Sequence, residues 1–197
     1  MKILVVGASG TLGRAVVKEL SAHELVTASR SSGDIRVDMR DAGSIRAMFE
    51  AAGRLDAVVC TAGKTSFSPL AEMSEEKMKV GIGDKLMGQV NLVLEGTRHL
   101  NDGGSFTLIS GVLGYDFIRT GTNASLVNGA LQSFVRAAAI ELPRGIRINS
   151  VSPTVFVESM EHYGPFFPGF KPVPVADAAL AYRKSVEGLQ TGQVYCM

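Results

Sequence analysis

The sequence predicts an α/β protein, a doubly wound parallel sheet of about seven strands with helices on both faces, and three observations carry that prediction. Short β-branched runs alternate with stretches of helical apolar spacing along the chain, and such alternation builds right-handed βαβ crossovers. The strand-like start Lys2–Val6 runs straight into a glycine-spaced turn, Gly7, Gly10 and Gly13, and then into a helical stretch. Length and composition agree: 197 residues, 46% hydrophobic and 20% charged, furnish one core and would leave two domains small, so one domain is expected over residues 1–197.

Taken in order, Lys2 to Val6 is the first strand and Arg14 to Leu20, with Ala15, Val16, Val17 and Leu20, the first helix. Glu24–Ser29 and Ile35–Val37 are the second and third strands. Asp41 is placed to cap a helix whose Ile45, Met48, Phe49 and Ala52 form one apolar stripe, and Gly53 stops it. Asp56–Cys60 reads as a buried fourth strand, bounded by Thr61-Ala62-Gly63. Ser74-Glu75-Glu76 opens a capped helical turn, and Lys85 to Leu100 keeps helical spacing until Asn101-Asp102-Gly103-Gly104. Phe106–Ile109 is the fifth strand, Ala124 to Leu142 a long helix closed by Pro143 and Gly145, Ile146–Val151 the sixth strand and Gln193–Cys196 a short seventh. Four of the seven prolines fall between Pro165 and Pro174, interleaved with aromatics from Tyr163 onward. That segment is either an aromatic lid or a strap tying the last helix to the sheet, the strap slightly favoured.

Charge narrows the function classes. Twenty Lys and Arg stand against 19 Asp and Glu, a net +1, so the broad basic surface that a phosphate backbone attracts is missing. Cys60 and Cys196 are far apart and fit neither a disulfide framework nor a metal spacing, which points to a reducing cytoplasm. No apolar run approaches the ~18 residues of a membrane span, and the apolar start ends at Gly7 without the form of a signal peptide. His23, His99 and His162 are scattered and are assigned no chemistry.

The glycine turn is the strongest motif. Gly7, Gly10 and Gly13 let the backbone turn tightly and approach a pyrophosphate, while Ser9 and the free N–H groups of Thr11 and Leu12 at the helix start face its charge. A dinucleotide is therefore the expected cofactor. After the second strand the acid that holds an NAD ribose is missing, and Ser29-Arg30-Ser31 stands there instead. Arg30 can fork onto a 2′-phosphate, with Ser9 or Ser31 donating to it, so NADP(H) is favoured over NAD(H). Asp38, with Met39 beside it, either accepts from the adenine amino group or caps a turn.

With Gly7-x-x-Gly10-x-x-Gly13, Asp38, Thr61-Ala62-Gly63 and Arg147-Ile148-Asn149-Ser150-Val151-Ser152-Pro153, the chain resembles a short-chain dehydrogenase/reductase of Rossmann-type fold. The resemblance runs from residue 2 to about residue 155, returns at Thr191-Gly192-Gln193, and includes the long helix around Ala130–Leu142. It implies cofactor contacts at Thr61, Ala62 and Gly63 and at the main chain following Pro153, including Val155. It also implies a homodimer or homotetramer.

Four catalytic positions depart from that family's pattern. The Tyr falls on Ala124 and the Lys four residues later on Asn128; the Ser falls near Gly111, with Ser110 beside it, and the Asn on Lys85. Glu158 replaces a Thr of the family pattern. A positioned acid or base contributes about 10²–10⁴-fold to such a step, and an alanine exchanges no proton. Asn128 still offers a hydrogen bond to a nicotinamide ribose, Lys85 returns an ammonium from another helix, and Tyr115 lies on the loop after the fifth strand. Lys85, Ser110 and Tyr115 are thus the catalytic candidates.

Two functions follow. The first is an NADP(H)-dependent oxidoreductase with an atypical site acting on an unknown small molecule. The second is a non-catalytic NADP(H) sensor or scaffold, motivated by the lost groups beside an intact glycine loop. A weaker third pairs the chain with an active relative through the helices around 85–100 and 124–142.

Overall fold

A computed structural model describes residues 1–197. Seven strands form one wholly parallel sheet in the order β3-β2-β1-β4-β5-β6-β7. They are β1 (Lys2–Val6), β2 (Glu24–Ser29), β3 (Ile35–Arg36), β4 (Leu55–Cys60), β5 (Leu100–Ile109), β6 (Arg147–Ser152) and β7 (Val194–Cys196). The helices are α1 (Thr11–Glu19), α2 (Ala42–Ala52), α3 (Glu75–Gly81), α4 (Gly88–Gly96), α5 (Thr122–Glu141), α6 (Met160–Tyr163) and α7 (Val175–Glu187). They cover both faces, with α1 against α7 and α2 against α4. The predicted doubly wound α/β class is what the chain adopts.

β1, β4 and the second half of β5 are almost wholly buried, as strands covered on both faces must be. Their Val, Leu and Ile side chains join Val16 and Leu20 of α1, Ile45, Met48 and Phe49 of α2, and Ala178, Tyr182 and Val186 of α7 in one core. Tyr182 is fully buried and donates its hydroxyl to the Cys60 carbonyl at 2.7 Å, which pins α7 to the end of β4.

Caps behave as the sequence implies. Asp41 accepts from the Gly43 N–H and Ser74 from the Lys77 N–H. Two elements differ from the sequence reading. β5 begins at Leu100, because Asn101-Asp102-Gly103-Gly104 is absorbed into the strand where the register against β4 shifts between Leu55 and Ala57; Gly103 takes φ +74° there. The helix expected from Lys85 is continuous with α3, and its Ile82–Met87 stretch widens into a π-helix.

Strand order reverses between β1, which pairs with β2, and β4, which pairs on the other side of β1. Ligands of open α/β sheets bind in the crevice beyond the strand ends at such a point. The glycine turn after β1 and Thr61-Ala62-Gly63 after β4 flank it.

Candidate functional site

The crevice holds two adjoining cavities. The first, about 600 Å³, is lined by Gly7, Ser9, Gly10, Arg30, Ser31 and Thr61-Ala62-Gly63, among others. The second, about 270 Å³, lies deeper beside the ends of β5 and β6 and includes Leu12, Lys85, Ser110, Asn128, Pro153 and Val155. Thr61, Thr65, Phe67 and Tyr163 line both.

Local backbone explains the first cavity. Gly7 has φ +88° and donates to the Ala28 carbonyl at 2.8 Å, tying the turn to β2. A Cβ at Gly13 would lie 2.1 Å from the Gly7 carbonyl oxygen, so only glycine lets α1 start this close to the strand end. Gly10 occupies the cap position before α1 and offers no side-chain cap. The first-turn N–H groups of the helix, those of Thr11, Leu12 and Gly13, are thus left for a ligand at the positive end of the helix dipole.

Arg30, mostly exposed, leans over the same cavity with Nη2 3.6 Å from Oδ2 of Asp84, while Ser31 sits on the rim. Asp84 is buried, and its Oδ1 accepts from the Lys64 N–H at 2.8 Å. Val37 and Met39 line the cavity beside them. Asp38 is engaged elsewhere: Arg40 donates to its two oxygens at 3.0 and 2.6 Å, which holds its carboxyl far below the usual range. The turn-capping alternative describes Asp38 well, since it also accepts from the Arg40 N–H.

Lys85 dominates the deeper cavity. It sits in the π-helical stretch, where a widened turn is frequently found at functional sites. The missing side chain of Gly63 makes room for its stem, since a Cβ there would meet Lys85 Cγ at 2.5 Å. Nζ donates to the Ser110 carbonyl at 2.7 Å. Burial lowers the ammonium from 10.5 to about 8, because a charge withdrawn from water is destabilised.

Gln89, fully buried one turn on, fixes this arrangement. Its Oε1 accepts from the Ile109 N–H at 2.8 Å, and Nε2 donates to the Ile109 and Lys85 carbonyls at 2.9 and 3.1 Å. The end of β5 and the helix that carries Lys85 are thereby held together.

Asn128 and Ser110 complete the group. Asn128 is buried, reaches the space a Gly111 side chain would occupy, and has an Oδ1 with no partner. A buried unpaired carbonyl is costly, and it fits a hydroxyl donor such as a nicotinamide ribose. Together with the uncapped α1 and the close Gly13 contact, this makes the residues present compatible with a dinucleotide. Ser110 is buried and aims its hydroxyl at the Val151 carbonyl, 3.4 Å away.

The structure brings Lys85, Ser110 and Asn128 together and leaves Tyr115 apart. The short 3₁₀ turn Val112–Gly114 carries Tyr115 past the cavity into an adjoining hollow with Asp116, Phe170, Lys171 and Met197, which shares Val112 and Thr154 with it. There its hydroxyl is pushed up to about 12 by burial and by Cys196. Ala124, at the position the resemblance gives to Tyr, is buried in an apolar cluster with Val112, Leu113, Val155 and Phe167.

Gln89, Asp84 and Phe67 are the site residues that the sequence did not reveal. Phe67 packs against Tyr163 and Phe166 at ring separations of 6.3 Å, roofing the junction of the two cavities. The Pro/Phe segment packs on Phe67 at its start and pairs further on with the chain after β6, where Phe156 bridges to Val173. The run of aromatics after β6 was the available signal; Phe67 had none.

Comparison with known proteins agrees with this geometry. A family model described as enoyl-(acyl carrier protein) reductase matches residues 6–184. The chain is similar to the short chain dehydrogenase/reductase AacuN of Aspergillus aculeatus, 35% identical over 108 residues, a match covering 53% of this chain and 41% of that protein. The chain thus aligns with less than half the length of the curated relatives it matches. Among solved structures, the protein lin1944 from Listeria innocua is 52% identical with a TM-score of 0.98, the match covering 100% of this chain and 99% of that one. A small-chain dehydrogenase in complex with NADPH is 25% identical with a TM-score of 0.88, covering 100% of this chain and 96% of the other. With the glycine turn, the sheet order and a family match spanning most of its length, the chain belongs to the short-chain dehydrogenase/reductase family.

Proposed function

We propose that the protein is an NADP(H)-dependent oxidoreductase of small carbonyl compounds in which Lys85 takes over the proton-donor role. The observation that carries this reading is the Lys85 ammonium, lining the deeper cavity 2.7 Å from the Ser110 carbonyl and adjoining the glycine-lined groove.

Bound NADPH supplies a hydride to the substrate carbonyl carbon. Gly7, Gly10 and Gly13 with the start of α1 receive the pyrophosphate, Arg30 and the serines beside it the 2′-phosphate, and Asn128 Oδ1 a ribose hydroxyl. The charge that develops on the substrate oxygen is met by Lys85, which first donates a hydrogen bond and then a proton, and recovers that proton from water. At about 8 the ammonium is mostly charged at neutral pH and gives up its proton far more readily than an ordinary lysine. Val112, Leu113, Val155, Phe156 and Phe167 give the cavity an apolar lining, beside which the ammonium's field is stronger than in bulk water.

The sensor reading rests on Ala124, whose methyl group fills the apolar cluster where the family pattern has a hydroxyl. Calorimetric titration with NADPH and NADH, followed by mixing with carbonyl compounds, separates the two. Oxidation of bound NADPH supports the enzyme, binding without oxidation supports the sensor, and absence of binding removes both. The exposed side chains Leu94 of α4 and Leu126 and Ile140 of α5 support a homodimer through these helices. We also propose a cytoplasmic location and one domain over residues 1–197; no helix is long and apolar enough to cross a membrane.

A further inference from the structure

We infer that the substrate carries its own negative charge: a small carbonyl compound bearing a carboxylate, held by the Lys85 ammonium. This rests on the dinucleotide reading above.

Lys85 makes no ion pair, and one of its three N–H groups is committed to the Ser110 carbonyl. No Asp or Glu lines the deeper cavity. The neighbouring carboxylate, Asp84, is turned away, one oxygen on the Lys64 N–H and the other toward Arg30. Cys60, at the end of β4, donates its thiol hydrogen to the Ala62 carbonyl and is held neutral by burial, which pushes it up to about 12. Tyr163, on the rim, is the other titratable group lining the cavity. The charge of Lys85 is therefore uncompensated by the protein, within apolar walls that make an unpaired charge costly and an opposite charge from a ligand correspondingly favourable.

The cavity measures about 270 Å³ and must also admit the nicotinamide ring, so the substrate is small. A 2- or 3-oxo acid, with a carboxylate for Lys85 and a carbonyl oxygen that also lies within its reach, meets each of these requirements.

The test uses the full chain and paired probes of equal size: acetoacetate against acetoacetamide, and pyruvate against pyruvamide. Each is titrated calorimetrically at pH 7 into protein saturated with NADP⁺. The acid of at least one pair should bind at least about tenfold more tightly than its amide. The preference should vanish in Lys85→Gln and persist in Lys85→Arg, which keeps the charge; melting curves check that both variants fold. Equal binding of acid and amide, a preference that survives in Lys85→Gln, or no binding of any probe overturns the inference. Failure of NADP⁺ itself to bind overturns the dinucleotide reading instead. In that case the same pairs are titrated into cofactor-free protein, where Lys85 has the same neighbours and the same outcomes decide.

Discussion

Replacing Lys85 by methionine should stabilise the cofactor-free protein while disabling its site. The ammonium is held near 8 against an ordinary 10.5, and at about 1.4 kcal/mol per factor of ten its burial costs about 3 kcal/mol at neutral pH. Methionine fills similar volume without that cost, but strands the Ser110 carbonyl that Lys85 now serves at 2.7 Å, a loss of about 1 kcal/mol. The net gain should be about 2 kcal/mol at pH 7. The pH dependence gives the sign. Between about 8 and 10.5 the unfolded chain holds a proton at this lysine that the folded chain has released, so wild-type stability should rise with pH across that window. Above 10.5 the advantage of Lys85→Met should disappear and reverse slightly. Urea denaturation of both proteins from pH 6 to pH 11 measures this directly. A variant less stable than wild type at pH 7, or a difference independent of pH, would refute the claim that the ammonium is destabilised by burial.

Arg30→Ala should weaken NADPH binding about 10- to 100-fold through the loss of charge-assisted bonds to a 2′-phosphate, with NADH nearly unaffected; equal losses in calorimetry would remove that assignment. Gly13→Ala places a methyl carbon 2.1 Å from the Gly7 carbonyl oxygen, and should cost at least about 1–3 kcal/mol in denaturant melts by forcing α1 from the strand end; unchanged stability would mean that the turn is looser than described. Tyr115→Phe should leave cofactor affinity and turnover within about twofold, because Tyr115 does not line the cavity that holds Lys85; a large loss of turnover would return it to the catalytic group.

Much of the architecture was legible because local signals and burial agree. The unbroken apolar run through Val58 and Val59 suits a strand buried on both faces, and the Ile45, Met48, Phe49, Ala52 stripe has the period of the helix α2 that it forms. Asn101–Gly104 misled because a break in strand propensity looks the same whether the chain leaves the sheet or bulges within it, and only pairing with β4 decides. The glycine turn was readable because Gly7 and Gly13 are fixed by steric limits of the chain itself. The location of Lys85 followed from the family resemblance, but its environment did not. A π-helical turn leaves no mark in composition, and the clasp of Gln89 on Ile109 joins residues from separate elements. Phe67, on a loop, and Tyr163, at the end of α6, meet over the cavities from positions nearly a hundred residues apart in sequence, a juxtaposition that only the folded sheet creates. Tyr115 looked catalytic because loops after parallel strands face the ligand crevice, yet the turn at Val112–Gly114 sends it past that crevice.

Whether Lys85 donates the proton in a hydride transfer is decided by single-turnover kinetics. Protein loaded with NADPH is mixed with small oxo acids and their neutral amides, and loss of the reduced nicotinamide absorbance is followed from pH 6 to pH 10. At limiting substrate, oxidation is expected with at least one oxo acid, at a rate that falls as pH rises through about 8, with a loss of about 10²-fold or more in Lys85→Gln while NADPH still binds. Tight NADPH binding with no oxidation, or a rate that Lys85→Gln leaves unchanged, would contradict proton donation by Lys85.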